Sequence, residues 1–194
     1  MSKLFTVVVA AVAAAVLSAG GVCAAMDPGQ PVRSVTEGVR QISSTTGGAA
    51  REAAIARVLH DNFDLGYMAR AALGAHWNAA NDDQRARFVA ALEASEARAY
   101  TERLGQLANY DVTVDRVTTR ADGGWTVDSS ARGGLMPIKL SWDVRDSSQG
   151  PRIVDVKVAG VSMFAVRQSE FSAYIRRTGS IEPLVAALEA KAGR

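Results

Sequence analysis

The chain has 194 residues, with 22 Lys+Arg against 20 Asp+Glu and a formal net charge of +2. Such a balance, with no run of five like charges, gives no electrostatic case for nucleic acid, which calls for clustered basic residues. One cysteine (Cys23) and two histidines (His60 and His76) leave no disulfide framework and no pair at metal-ligand spacing, so no metal or cofactor is expected.

The N-terminus carries Lys3, an apolar run from Leu4 to Leu17, and small residues leading to Val22-Cys23-Ala24-Ala25. This is the layout of a secretory signal peptide over residues 1–25, with cleavage after Ala24 or Ala25. An uncleaved anchor is the alternative, although the strongly apolar run is shorter than the roughly 20 residues a spanning helix needs. Gly20-Gly21-Val22 lacks the leucine and the adjacent small residue that lipid attachment at Cys23 would require. Residues 26–194 then form a single domain without cysteine, exported yet held together by packing alone.

Met26 to Pro31 reads as a polar leader. A helix over 32–43 carries Val35, Val39 and Ile42 on one face, and the Ser/Thr/Gly cluster at 43–48 makes a joint. A second helix spans about 50–62 with Ile55, Val58 and Leu59. Asp64 can cap a third, containing Leu65, Met68, Ala72 and Leu73, that Gly74 terminates. Asn81 and Gln84 stand in capping-box positions before a long helix to about Leu107. Its apolar residues are Phe88, Val89, Leu92, Tyr100, Leu104 and Leu107, and Arg85, Arg87, Glu93, Arg98 and Glu102 form its wet side.

Four strands are expected near 110–119, 124–132, 136–146 and 152–160. In the third, Ile138, Leu140, Trp142 and Val144 alternate with Lys139, Ser141, Asp143 and Arg145, the pattern of a half-buried strand. In the fourth, Val154, Val156 and Val158 oppose Asp155 and Lys157, and residues 146–151 between the two strands suit a hairpin. Ser162 can cap a helix carrying Phe164, Phe171 and Ile175; Gly179 stops it, and Ser180 opens a last helix with Pro183 in its first turn. Helices, then a meander, then helices make an α+β fold.

Catalytic motifs are sparse. Gly160-Val161-Ser162-Met163-Phe164 ends in Phe rather than the Gly of a nucleophile elbow, and there is no glycine-rich phosphate loop. Asn81-Asp82-Asp83 complements a helix N-terminus. Arg176-Arg177 suits a helix C-terminus, with a phosphate headgroup as its alternative partner.

The run Arg152-Ile153-Val154-Asp155-Val156-Lys157-Val158-Ala159-Gly160-Val161-Ser162-Met163, followed by Arg167-Gln168-Ser169-Glu170-Phe171, resembles the MlaC (toluene-tolerance) periplasmic phospholipid-binding family. Residues 63–70, 73–77, 84–88 and 100–104 fit the same pattern in order. Within that superfamily, the Ile-Val-Asp-Val strand and Ser-Glu-Phe helix look closer to the HpnM branch, associated with hopanoid biosynthesis. The resemblance implies a curved mixed sheet, similar to nuclear-transport-factor-2-like folds, with helices over its concave face. It also implies a non-catalytic periplasmic carrier of phospholipid or hopanoid. Such a carrier would touch an inner-membrane ABC transporter complex and an outer-membrane lipoprotein complex.

On that reading the lipid site is lined by strand positions Val112, Val114, Ile138, Leu140, Trp142, Val154, Val156 and Val158, with Phe88, Leu92, Tyr100 and Leu104 from the long helix. Taken singly, each of these is what an ordinary core would also use. Two other classes stay open: an enzyme recruiting Tyr100 and Asp143 in the same pocket, against which Asp143 falls on a polar strand face, and a membrane-anchored interaction module with a filled core.

Overall fold

A computed structural model describes residues 26–43, 48–107, 110–134 and 136–193. The expected signal segment 1–25 and the centre of the expected joint, 44–47, lie outside the described residues. Five helices come first: α1 (Gln30–Ser43), α2 (Ala49–Asn62), α3 (Leu65–Leu73), α4 (Ala75–Ala79) and α5 (Asp82–Leu107). The strands β1 (Asp111–Thr119), β2 (Trp125–Arg132), β3 (Ile138–Arg145), β4 (Arg152–Val158) and β5 (Val161–Ser162) follow, and α6 (Met163–Thr178) and α7 (Glu182–Ala192) close the chain.

Local chemistry sets most of these boundaries. Asn81 and Gln84 bond reciprocally, the Gln84 N–H donating to Asn81 Oδ1 at 2.8 Å and the Asn81 N–H to Gln84 Oε1 at 3.1 Å, so α5 starts from a closed capping box. The Tyr67 N–H donates to Asp64 Oδ1 at 2.9 Å to open α3. The Ala165 N–H donates to Ser162 Oγ at 2.9 Å to open α6, and Gly179 ends that helix at φ 82°, a left-handed conformation glycine adopts without strain. Two boundaries differ from expectation. The leader is shorter, because α1 begins at Gln30 and Pro31 is already buried in its first turn. The last helix is capped at Ile181 with no side-chain bond, so Ser180 does not open it.

The sheet is a meander in the order β1-β2-β3-β4-β5, and each strand pairing is antiparallel. The expected four strands become five because Val161 and Ser162 fold back against Val158 and Lys157. Among the described residues, parallel pairing is confined to one bridge, where Phe63 meets Ile153 and the Asp64 N–H donates to the Ile153 carbonyl at 2.9 Å. That bridge covers the stretch of β4 that the short β5 leaves bare.

Register stacks the inward row across the sheet: Trp142 lies between Val127 and Val156, and Leu140 between Ser129 and Val158. Trp142 is buried, and its indole N–H donates to the buried Ser129 Oγ at 2.9 Å, so the ring faces the interior without an orphaned donor. The other face is a polar lattice. Asp143 accepts from Lys157 Nζ at 2.8 Å and pairs with Arg120 at 3.0 Å, while Asp128 accepts from Ser141 Oγ at 2.6 Å and pairs with Arg116 at 3.0 Å.

One register shift alters the expected inward row. Asp143 opposes Asp155 but Val144 opposes Ile153, which leaves Val154 unpaired in a β-bulge. Ile153, fully buried, therefore joins the core cluster that alternation assigned to Val154.

The core divides in two. One cluster joins α3, α5, α6 and α7 around Phe88, Phe171 and Val185, and Arg87 ties α5 to α7 through Glu182 at 2.7 Å and Glu189 at 2.9 Å. The other joins α1, α2 and the sheet around Val32, Ile55, Val127 and Ile153. Gly38 lets α1 lie close on α2, since a Cβ there would come within 2.8 Å of Val58 Cγ2.

Two measurements check this arrangement. Ile153→Ala should cost about 2–5 kcal/mol in urea unfolding, and clearly more than Val154→Ala; the reverse order would contradict the bulge. Asp128 is held below its ordinary pKa, first by the Ser141 hydroxyl and then by Arg116. It therefore adds stability above its unfolded pKa of about 3.9, which is lost as the pH falls through its lower folded value. Asp128→Asn should flatten the acid limb of a Tm-versus-pH curve below about pH 4.

Candidate functional site

The helices do not close onto the apolar face of the sheet. Between them lie two adjoining hollows, which we call the α6 lobe, about 260 Å³, and the α1 lobe, about 330 Å³. Together they reach the size of small-molecule pockets, roughly 300–1,000 Å³. They share Leu59, Phe63, Tyr100, Val156 and Met163, so these five side chains form the waist at which the two hollows adjoin.

The α1 lobe sits on the sheet. Its floor is Ile138, Leu140 and Trp142 of β3, with Val156 and Val158 of β4, Val112 of β1 and Ala131 of β2. Its roof comes from α1 through Val35, Thr36, Val39 and Arg40, and from α2 through Ile55 and Val58; Tyr110 closes one side. Each floor residue faces inward because strand period 2 puts it on the row that carries Trp142.

The α6 lobe lies in the gap between the two core clusters. Leu65, Met68 and Ala72 of α3 face Leu92, Ala99 and Tyr100 of α5, and Met163, Phe164, Val166 and Phe171 of α6 complete the wall. Met163 and Val166 are 38% and 40% exposed, and neighbouring Val161 is 53% exposed, so an apolar lip surrounds the start of α6.

Of the twelve residues expected to line the site, Leu92, Tyr100, Val112, Ile138, Leu140, Trp142, Val156 and Val158 stand on the lobe walls. Three do not. Phe88 is fully buried beside α6 and α7, its ring edge-on to Phe171 at 5.6 Å and 84°, because that turn of α5 precedes the cavity. Val114 packs into the second cluster, and Val154 is displaced by the bulge. The side chain of Leu104 lies outside the described residues.

The lobes also hold charge that the sequence reading missed. Glu96 and Arg167 both line the α6 lobe, and Arg167 Nη2 lies 2.8 Å from Glu96 Oε1. Their signal was present: Glu96 stands between Leu92 and Tyr100 at i+4 steps, and Arg167 stands between Phe164 and Phe171, so both interrupt apolar stripes. Burial alone would lower the Arg167 pKa, but Glu96 and then Glu170 outweigh it and hold the guanidinium above its ordinary range. Asp155, also on this wall, accepts the Phe164 N–H at 3.0 Å and so reinforces the N-terminus of α6.

Tyr100 and Asp143, the pair an enzyme would recruit, are separated by the sheet. Tyr100 lines both lobes, whereas Asp143 is on the opposite face with only 13% of its side chain exposed beneath Arg120 and Lys157. Arg176 and Arg177 line neither lobe, and Arg177 lies over the Tyr174 ring at 4.9 Å. Among the described residues, no group of three or more His, Cys, Asp or Glu side chains is placed to hold a metal ion, and no helix is long and apolar enough to cross a membrane.

Comparison with known proteins agrees with this geometry. No curated protein matches the chain significantly. A solved phospholipid-binding protein from Ralstonia solanacearum, determined in complex with a phospholipid, superposes with a TM-score of 0.70 at 17% identity, covering 84% of this chain and 93% of that one. That likeness establishes a shared fold, helices over an open antiparallel sheet. A family model described as MlaC protein matches residues 30–190, nearly the whole described chain. The chain belongs to the MlaC family.

Proposed function

We propose that the protein is a non-catalytic, periplasmic carrier of a two-chain phospholipid, exported by the N-terminal signal sequence. The observation that carries this reading is the two-lobed apolar hollow with a waist at Leu59, Phe63, Tyr100, Val156 and Met163. Two adjoining compartments suit two flexible hydrocarbon chains lying side by side. A rigid fused-ring skeleton such as a hopanoid would have to span the waist, so the two-chain ligand is the better fit. The phospholipid held by the Ralstonia solanacearum relative supports the same ligand class.

The energetics suit transport. Burying a methylene is worth ~0.8 kcal/mol, so about 28 of them give on the order of 20 kcal/mol gross. A bilayer offers nearly the same, and the carrier need only match it. Net transfer then follows contact with donor and acceptor rather than a strong preference for either. The exposed lip of Val161, Met163 and Val166 offers such a contact at the start of α6. Family membership supports partners in envelope lipid traffic, an inner-membrane ABC transporter complex on one side and an outer-membrane lipoprotein complex on the other.

Native mass spectrometry of the protein purified from its own periplasm should show a co-purifying two-chain lipid. A triterpenoid instead would assign it to hopanoid traffic. An empty protein retaining its N-terminus would replace the carrier with a membrane-anchored module. Leu140→Asp and Val156→Asp should abolish loading while secondary structure persists, because a carboxylate in an apolar hollow costs several kcal/mol. Phe88→Ala should do the opposite, losing about 3–5 kcal/mol of stability while the folded fraction still carries lipid. Folded aspartate variants that load normally would show that the sheet face is not the site.

A further inference from the structure

We infer that Glu96, Arg167 and Glu170 form a headgroup site that favours a zwitterionic phosphoammonium headgroup over an anionic one. This rests on the carrier reading above and adds to it a ligand preference.

Arg167 and Glu96 occupy stripe positions of α6 and α5 and face the same apolar lobe, with side chains only 34% and 23% exposed. Placing charge there is unfavourable unless it is paired, and Arg167 is paired twice: Nη2 to Glu96 Oε1 at 2.8 Å and Nη1 to Glu170 Oε2 at 3.0 Å. One carboxylate would suffice to tie α6 to α5. The second leaves the cluster with two negative groups against one positive, and Asp155 adds a further carboxylate on the same wall.

A phosphate can approach the planar guanidinium, whose fork suits its oxygens, only by displacing or sharing a carboxylate. For an anionic headgroup that exchange leaves Glu96 and Glu170 facing more negative charge. A headgroup carrying an ammonium two carbons from its phosphate satisfies both sides: phosphate on Arg167, ammonium donating to the released carboxylate. The tails then run past Met68, Leu92 and Phe171 into the hollow. The other cation on a lobe wall, Arg40, is bonded to Glu37 at 2.8 Å and lies on the α1 lobe, away from this cluster.

The test loads the full mature protein from vesicles of equimolar phosphatidylethanolamine and phosphatidylglycerol with matched acyl chains, and reads the bound ratio by native mass spectrometry. Wild type should favour phosphatidylethanolamine by about tenfold, the equivalent of one charge-assisted contact. Glu96→Gln should bring the ratio towards unity, chiefly by lowering the loading of phosphatidylethanolamine. Glu170→Gln, at a more exposed position, should move it the same way and serves if Glu96→Gln does not fold. Arg167→Gln should lower loading of both lipids. Equal loading in wild type, unchanged by either glutamine variant, would overturn the headgroup site and leave the carrier intact, with the cluster a structural tie only. A wild type that loads neither lipid would instead overturn the carrier reading itself.

Discussion

The structure depends on one unmet demand for apolar contact. Strands β1 to β4 present an inward face of Val112, Ile138, Leu140, Trp142, Val156 and Val158, and hydrophobic burial favours covering it completely. The helices do not do so. α1 and α2 pack on one part of that face, α5 and α6 on another, and α7 is engaged with α5 instead. Interiors normally reach crystal-like density, so a hollow of this size between two well-packed clusters is a feature the fold must support. On the outside, a polar lattice ties the strands together across the far face of the sheet, and ion pairs join α5 to α7.

Polar groups are distributed accordingly. Across the outer face, Asp115, Asp128 and Asp143 are each bonded to a hydroxyl or a cation on a neighbouring strand, so that face is satisfied within the chain. Inside, Trp142 is a large polar-tipped side chain on the floor of the α1 lobe, and Ser129 Oγ accepts the hydrogen bond from its indole N–H. The charged group on the α6 lobe wall has a different character. It sits at a boundary between apolar wall and water, and Arg167 is paired with both Glu96 and Glu170.

Membership of the MlaC family and this geometry meet at one point, a hollow with largely apolar walls. Tyr100 and Asp143 lie on opposite sides of the sheet, and the walls of the hollow are mostly aliphatic and aromatic. The carrier proposed above would work by equality of environments. Apolar walls match the bilayer interior, and the exposed apolar lip at Val161, Met163 and Val166 lowers the cost of a tail passing from one to the other.

Most of the fold was legible along the chain because its determinants are local. Strand alternation through Ile138–Val144 assigned the inward face correctly, and Asp64, Asn81, Ser162 and Gly179 marked helix ends through side-chain caps or backbone freedom. What alternation could not carry was the bulge at Val154, which depends on the register of the opposing strand and exchanges Val154 for Ile153. Nor could a helical stripe say what it faces: Phe88 and Leu92 share one stripe of α5, yet the first is sealed against Phe171 and the second borders a void. Sequence periodicity determined which side chains leave water. Only the packing of distant elements decided whether they meet each other or leave a space for a ligand, because that depends on distances between elements the chain joins late.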